Sequence, residues 1–178
     1  MIRAKIEEYK VTKDSKVLEK LKAAANEICA LSRDDDGLFT ADGISQEDLL
    51  RDVMPVYTLF ETKLNKKENY IDLVEQCKAA VKKYPGSKKV FVMLAEVLEC
   101  FSEEIYEHYK TIQALLREQY MSVSANMDED VAYALAKACF YKAFLLEKYE
   151  DVLMPYATEQ YPTAYDAIKR LEKRFERN

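Results

Sequence analysis

Apolar residues recur through most of this chain at every third or fourth position, the spacing of one buried face on an α-helix. After a short helix expected at the start, Asp14 or Ser15 can cap a run in which Val17, Leu18, Leu21, Ala24, Ala25, Ile28 and Leu31 share a face. The pattern predicts a helix to about Arg33. Residues 34–43 are the longest polar break and hold two of the three glycines, so they read as a loop. Ser45 with Asp48 three residues on then forms a capping-type pattern ahead of Leu49, Leu50, Val53, Val56, Tyr57, Phe60 and Leu64. Pro55 falls inside that run and is expected to kink the helix or divide it.

Asn69 can cap a helix from Tyr70 to Tyr84 that buries Ile71, Val74, Cys77 and Val81, and Pro85-Gly86-Ser87 ends it. Ser87 is placed to cap the next, Val90 to Phe101, which is apolar nearly all round and therefore reads as the central helix. Ser102 opens a further one, with Ile105, Tyr109, Ile112 and Leu116 inward and Glu104, Lys110, Arg117 and Glu118 outward. Asp128 precedes an alanine-rich helix over 131–146. Pro155 and Pro162 then leave a broken helix at 147–160 and a last one at 163–177. About eight amphipathic helices joined by short connections describe an all-α fold of antiparallel helical hairpins.

Composition narrows the reading further. A chain of 178 residues, 49% hydrophobic, is the size of one domain, and residues 1–178 are taken as one. Three glycines and four prolines are few for a protein of strands and tight turns. The net charge of −5 gives no general attraction for nucleic acid or an anionic membrane. The basic last helix, with Lys169, Arg170, Lys173, Arg174 and Arg177, reads as a solvated face that complements the helix dipole. Residues 1–8 carry acids and no apolar core, so no secretory leader is expected there, and no run reaches membrane-spanning length.

Cys29, Cys77, Cys100 and Cys139 are widely spaced within apolar helical patterns and read as buried free thiols, which suits the cytoplasm. One histidine, His108, with no cluster around it gives no reason to expect a metal. Setting Gly37 as the central glycine of an EF-hand puts Ser32 first and Gly43 last, where an acid and a bidentate glutamate are required, so calcium is not expected either. The thirteen tyrosines can stack on sugars or anchor partners, but at helical spacing they read first as the edge of a core.

Two helical arrays compete for this pattern. In a tetratricopeptide register of about 34 residues, Tyr57, Phe60 and Leu64 recur as Phe91, Leu94 and Leu98. The next step lands on Ala125, Asp128 and Ala132, which fall on a loop and a cap. The other array rests on three stretches in order: Met54-Pro55-Val56-Tyr57 through Asn69-Tyr70-Ile71-Asp72; Val90 to Gln119, with Leu94-Ala95-Glu96-Val97-Leu98-Glu99; and Val131-Ala132-Tyr133-Ala134-Leu135-Ala136-Lys137-Ala138-Cys139 continuing to Tyr149.

These stretches resemble the unsaturated rhamnogalacturonyl hydrolases and the related unsaturated glucuronyl hydrolases. The resemblance implies an (α/α) toroid, here shortened, and that array is preferred to the solenoid. It also implies an aspartate general acid and base that adds water across the double bond of an unsaturated uronyl group. The family's aspartate lies a few residues before the Met-Pro step, so the resemblance points to Asp48, with Asp52 as the alternative. Asp48 is placed equally well to support the helix start begun by Ser45.

The glycine-, tryptophan- and histidine-rich segments of that family have no counterpart here. Lys82-Lys83-Tyr84-Pro85-Gly86-Ser87 and residues 121–128 stand in their place, and the chain has no tryptophan. The expectation is a helical frame with weak or no catalysis and no cofactor. Its partner would be an oligosaccharide or a protein, or a second copy meeting an uncovered rim of Tyr, Met and Leu side chains in a two-fold homodimer.

Overall fold

The computed structural model describes residue 8, residues 11–64, 67–100, 106–123 and 128–131, and residue 134. It is mostly helical, as the spacing predicts. The Asp14 carboxylate accepts the backbone N–H of Lys16 at 2.8 Å and starts helix α1, Ser15–Cys29. Val17, Leu21, Ala25 and Ile28 form its buried stripe, with Leu18, Ala24 and Leu31 packed at the margin. Cys29 lies off that stripe and is exposed, which corrects its assignment as a buried thiol. Cys77 is buried, and Cys100 and Cys139 lie outside the side chains described.

The polar break is not an open loop. Strands β1, Ser32–Arg33, and β2, Phe39–Thr40, pair antiparallel, with Arg33 opposite Phe39. The turn is built by Asp34, whose Oδ1 accepts the N–H groups of Asp36 at 3.0 Å and Leu38 at 2.9 Å. Gly37 supplies the positive φ of 82° that the reversal needs. Leu38 and Phe39 are thereby driven fully into the core.

Helix α2, Gln46–Leu64, runs unbroken across Pro55. Pro55 is buried along with its neighbours Val53, Met54, Val56, Tyr57, Thr58 and Leu59. The apolar packing on this stretch holds the helix together despite the lost backbone donor. Helix α3, Lys67–Lys83, starts before Asn69, so that residue is inside the helix and is not its cap. Its buried face is Tyr70, Leu73, Val74, Cys77, Ala80 and Val81. Ile71 is 58% exposed, which corrects its assignment to the core: it lies one position round the helix, on the side of Glu75, Lys78 and Lys82.

Gly86, with φ 75°, turns the chain into helix α4, Lys88–Cys100, and Ser87 caps it by accepting the N–H of Val90 at 3.2 Å. Residues Val90 to Leu98 of α4 are all buried, and α2 lies against α4 over the most extensive helix contact among the described residues. Helix α5, Tyr106–Val123, packs on α4 and α3 through Ile112 and Leu116. Its Gln119 amide reaches the carbonyls of Tyr84 at 3.1 Å and Ser87 at 3.3 Å, fixing the α3–α4 turn from outside. Asp128 then accepts the N–H of Val131 at 3.0 Å, as a cap should. The expected helices over 147–160 and 163–177, most of 131–146, and Ser102 lie outside the described residues.

Helices α2 and α4 thus form one row, with α3 and α5 beside each other in a second. Such alternation is common to toroids and solenoids of helical hairpins.

Candidate functional site

The start of α2 carries both aspartates singled out from the sequence. Ser45 Oγ accepts the N–H of Asp48 at 3.3 Å and donates to Asp48 Oδ2 at 2.7 Å, so the capping pattern is realised. Asp48 Oδ1 also meets Lys89 Nζ, from the first turn of α4, at 2.7 Å. Hydrogen bonds from Lys89 and then Ser45 hold the Asp48 carboxyl below the usual carboxylate range. Asp52 is one turn further along the same side, with its side chain half exposed.

Arg51 stands between the two, its guanidinium 3.8 Å from Asp48 and 3.8 Å from Asp52, both beyond hydrogen-bond reach. Its Nε is buried without a hydrogen-bond partner. Chemically this is a charge-balanced surface cluster of two carboxylates and two cations. A general acid for hydration of a double bond has to hold its proton near neutral pH, which calls for a shift opposite to the one at Asp48.

Two further polar clusters are more enclosed, and sequence spacing did not point to either. In the first, Arg33 grips Asp72 of α3 through both carboxylate oxygens, while Tyr57 Oη at 2.6 Å and Gln76 Nε2 at 3.1 Å donate to Asp72 Oδ2. Burial alone would raise the Asp72 pKa, but the bonds from Arg33 and Tyr57 outweigh it and the carboxyl sits low. Arg33 also lies 4.5 Å over the Phe39 ring, which meets Tyr57 edge-on at 5.4 Å between centroids.

In the second cluster, Asp34 Oδ2 receives Gln46 Nε2 and Lys83 Nζ, each at 2.8 Å, while Gln46 Oε1 accepts from Tyr84 Oη at 2.6 Å. Burial pushes Asp34 up, but the bonds from Lys83, Gln46 and the Leu38 amide win and bring it to about 2. One local signal was available here. An aspartate three residues before a glycine favours a turn closed by its own side chain.

Among the described residues no group of three or more His, Cys, Asp or Glu is arranged to hold a metal. The oxygens of Asp34 are taken up by the turn, Gln46 and Lys83. The half-buried His108 lies 6.4 Å from the buried Tyr70 ring, centroid to centroid. Tyr57 and Tyr70 are core residues, and Tyr84 and Tyr120 pack at the core's margin. No helix among the described residues is long and apolar enough to cross a membrane. No family model matches the chain, and no curated protein or solved structure matches it.

Proposed function

We propose that this chain is a helical binding domain on the shortened frame of the unsaturated uronyl hydrolases, working without their catalysis. The state of Asp48 carries the reading. Of the two candidate acids it is the better positional match, yet Lys89 and Ser45 engage it and hold its pKa below the usual carboxylate range. A carboxyl that gives up its proton so readily is a poor general acid at neutral pH. Rows of paired helices such as α2 with α4 and α3 with α5 suit a scaffold that presents a surface to an oligosaccharide or a protein, a second copy of the chain included. The tetratricopeptide-like reading shares that arrangement, and a constant superhelical step from hairpin to hairpin would favour it.

The test is incubation of the purified chain with an unsaturated uronyl disaccharide, followed by loss of ultraviolet absorbance. No turnover above a protein-free blank is expected. Turnover that Asp48→Asn or Asp52→Asn abolishes would overturn the proposal. Sedimentation at micromolar concentration reads the homodimer separately.

A further inference from the structure

The chain holds two Asp-Gly steps, Asp36-Gly37 and Asp42-Gly43. Such a step is open to a reaction within the backbone, because glycine has no side chain to keep its amide nitrogen away from the carboxyl carbon of the preceding aspartate. Both glycines take a positive φ, 82° at Gly37 and 77° at Gly43, but their surroundings differ. At the first step the Gly37 N–H donates to the Asp34 carbonyl at 3.0 Å, the Asp36 N–H donates to Asp34 Oδ1 at 3.0 Å, and Asp36 Oδ2 faces Lys83 Nζ at 3.7 Å. Leu38 and Phe39 follow at once and are fully buried, so swinging the Gly37 nitrogen toward the Asp36 carboxyl would break the turn and unpack the core. The second step has none of these restraints. Asp42 and Gly43 are exposed, and the next residue, Ile44, is 53% exposed. Among the described residues the Gly43 N–H makes no hydrogen bond, and the Asp42 carboxylate is in neither a hydrogen bond nor an ion pair.

We propose that Asp42 is a site of spontaneous isomerisation to isoaspartate in the folded protein, and that the hairpin protects Asp36 from the same reaction. The Gly43 nitrogen attacks Asp42 Cγ. A C–N bond forms, a carboxyl C–O bond breaks, and the hydroxyl leaves with the amide proton as water. Water then opens the resulting succinimide ring at one of its two carbonyls. Cleavage of the new bond restores aspartate. Cleavage at the main-chain carbonyl of Asp42 leaves its α-carboxylate free and routes the backbone through Cβ and Cγ. One water is lost and one is gained, so no other reactant is needed. The geometry of attack is reached by rotating exposed backbone that holds no hydrogen bond, so little structure has to be given up first. The added methylene enters the connection between β2 and the Ser45 cap of α2.

The test is to incubate the full-length chain at neutral pH for several weeks, folded and in parallel in urea, and then to cleave it with trypsin. Cleavage after Arg33 and Arg51 leaves both steps in one peptide, with no lysine or arginine between. Electron-transfer fragmentation, which breaks the Cα–Cβ bond that an isoaspartyl residue places in the backbone, assigns the isomer to position 36 or 42. In the folded chain isoaspartate at 42 is expected to form at least about tenfold faster than at 36, and in urea the two rates should agree within about twofold. Asp42→Glu keeps the charge but closes a larger ring far more slowly, so it should abolish the reaction at 42 in a chain that circular dichroism shows to be folded. Equal rates at the two steps in the folded chain, no isoaspartate at 42, or the same disparity in urea overturns the proposal.

Discussion

Arg33 and Asp72 stand 39 positions apart and meet through two hydrogen bonds, of 2.5 and 2.9 Å. This contact ties the hairpin to α3, and Tyr57 of α2 joins it by donating to the same carboxylate. Both charged side chains are about one-third exposed, so solvent screens the pair and its worth is modest. A double-mutant cycle of Arg33→Ala and Asp72→Ala, measured by urea unfolding, should give a coupling of about 1 kcal/mol. A coupling indistinguishable from zero would reduce the contact to a surface coincidence.

Leu94 is fully buried in α4, within the continuously buried run from Val90 to Leu98, so truncation leaves a void that no neighbour is free to fill. Leu94→Ala is expected to cost about 2–5 kcal/mol, a large part of the stability of a domain of this size. Thermal denaturation followed by circular dichroism checks it. A loss under about 1 kcal/mol would mean that α4 is not the centre of the packing.

The helices were legible because burial in a helix is periodic. The stripe of α1, the face of α2 and the all-round apolarity of α4 each follow from residues that are neighbours in sequence. Ile71 was misplaced because it shares the outer side of α3 with Glu75, Lys78 and Lys82, a register that its own apolar side chain hid beside the buried set of Tyr70, Leu73, Val74, Cys77 and Val81. The hairpin was hidden because Leu38 and Phe39 are two apolar residues in a polar stretch, too short a run to show a period. At the start of α2 the Ser45–Asp48 pair was readable as a cap, since it is local. The Lys89 contact that lowers the Asp48 pKa comes from another helix, and so does the Asp72 partner of Arg33. No local pattern records such meetings.

Thiol chemistry should separate the two described cysteines. Burial pushes the Cys77 thiol up to about 12, so almost none of it is thiolate at neutral pH, whereas Cys29 is exposed. Brief alkylation with iodoacetamide followed by peptide mass spectrometry should label Cys29 and spare Cys77 until the chain is unfolded. Equal labelling of both in the folded protein would contradict the burial of Cys77.

Acid should loosen the hairpin through Asp34. The carboxyl sits at about 2 in the folded chain, against about 3.9 in an unfolded one, so folding favours its ionised form. The stabilisation is complete above the unfolded value and is lost as pH falls through the folded value. Unfolding free energy should therefore decline between about pH 5 and pH 2, and Asp34→Asn should flatten that decline. The amide variant keeps an oxygen for the N–H groups of Asp36 and Leu38 but sets its NH2 against both Gln46 Nε2 and Lys83 Nζ, so the slope with pH, and not the absolute stability, reads the lost charge. An undiminished slope in the variant would assign the acid sensitivity to other carboxylates.

The role of Asp48 can be decided by moving its pKa. The largest influence on it is the hydrogen bond from Lys89, followed by that from Ser45, and both stabilise the charged form. Removing Lys89 takes away the first without touching the cap, so Lys89→Ala should raise the Asp48 pKa toward the ordinary value of about 3.9, read by carbon-detected NMR of the carboxyl. Ser45→Ala removes the side chain that accepts the Asp48 amide, and it should cost about 1 kcal/mol in helix stability. A residue serving only to start a helix and pair with a neighbour gives both results. A general acid for uronyl hydration would instead titrate near neutral pH in the native chain, and that observation would return Asp48 to catalysis.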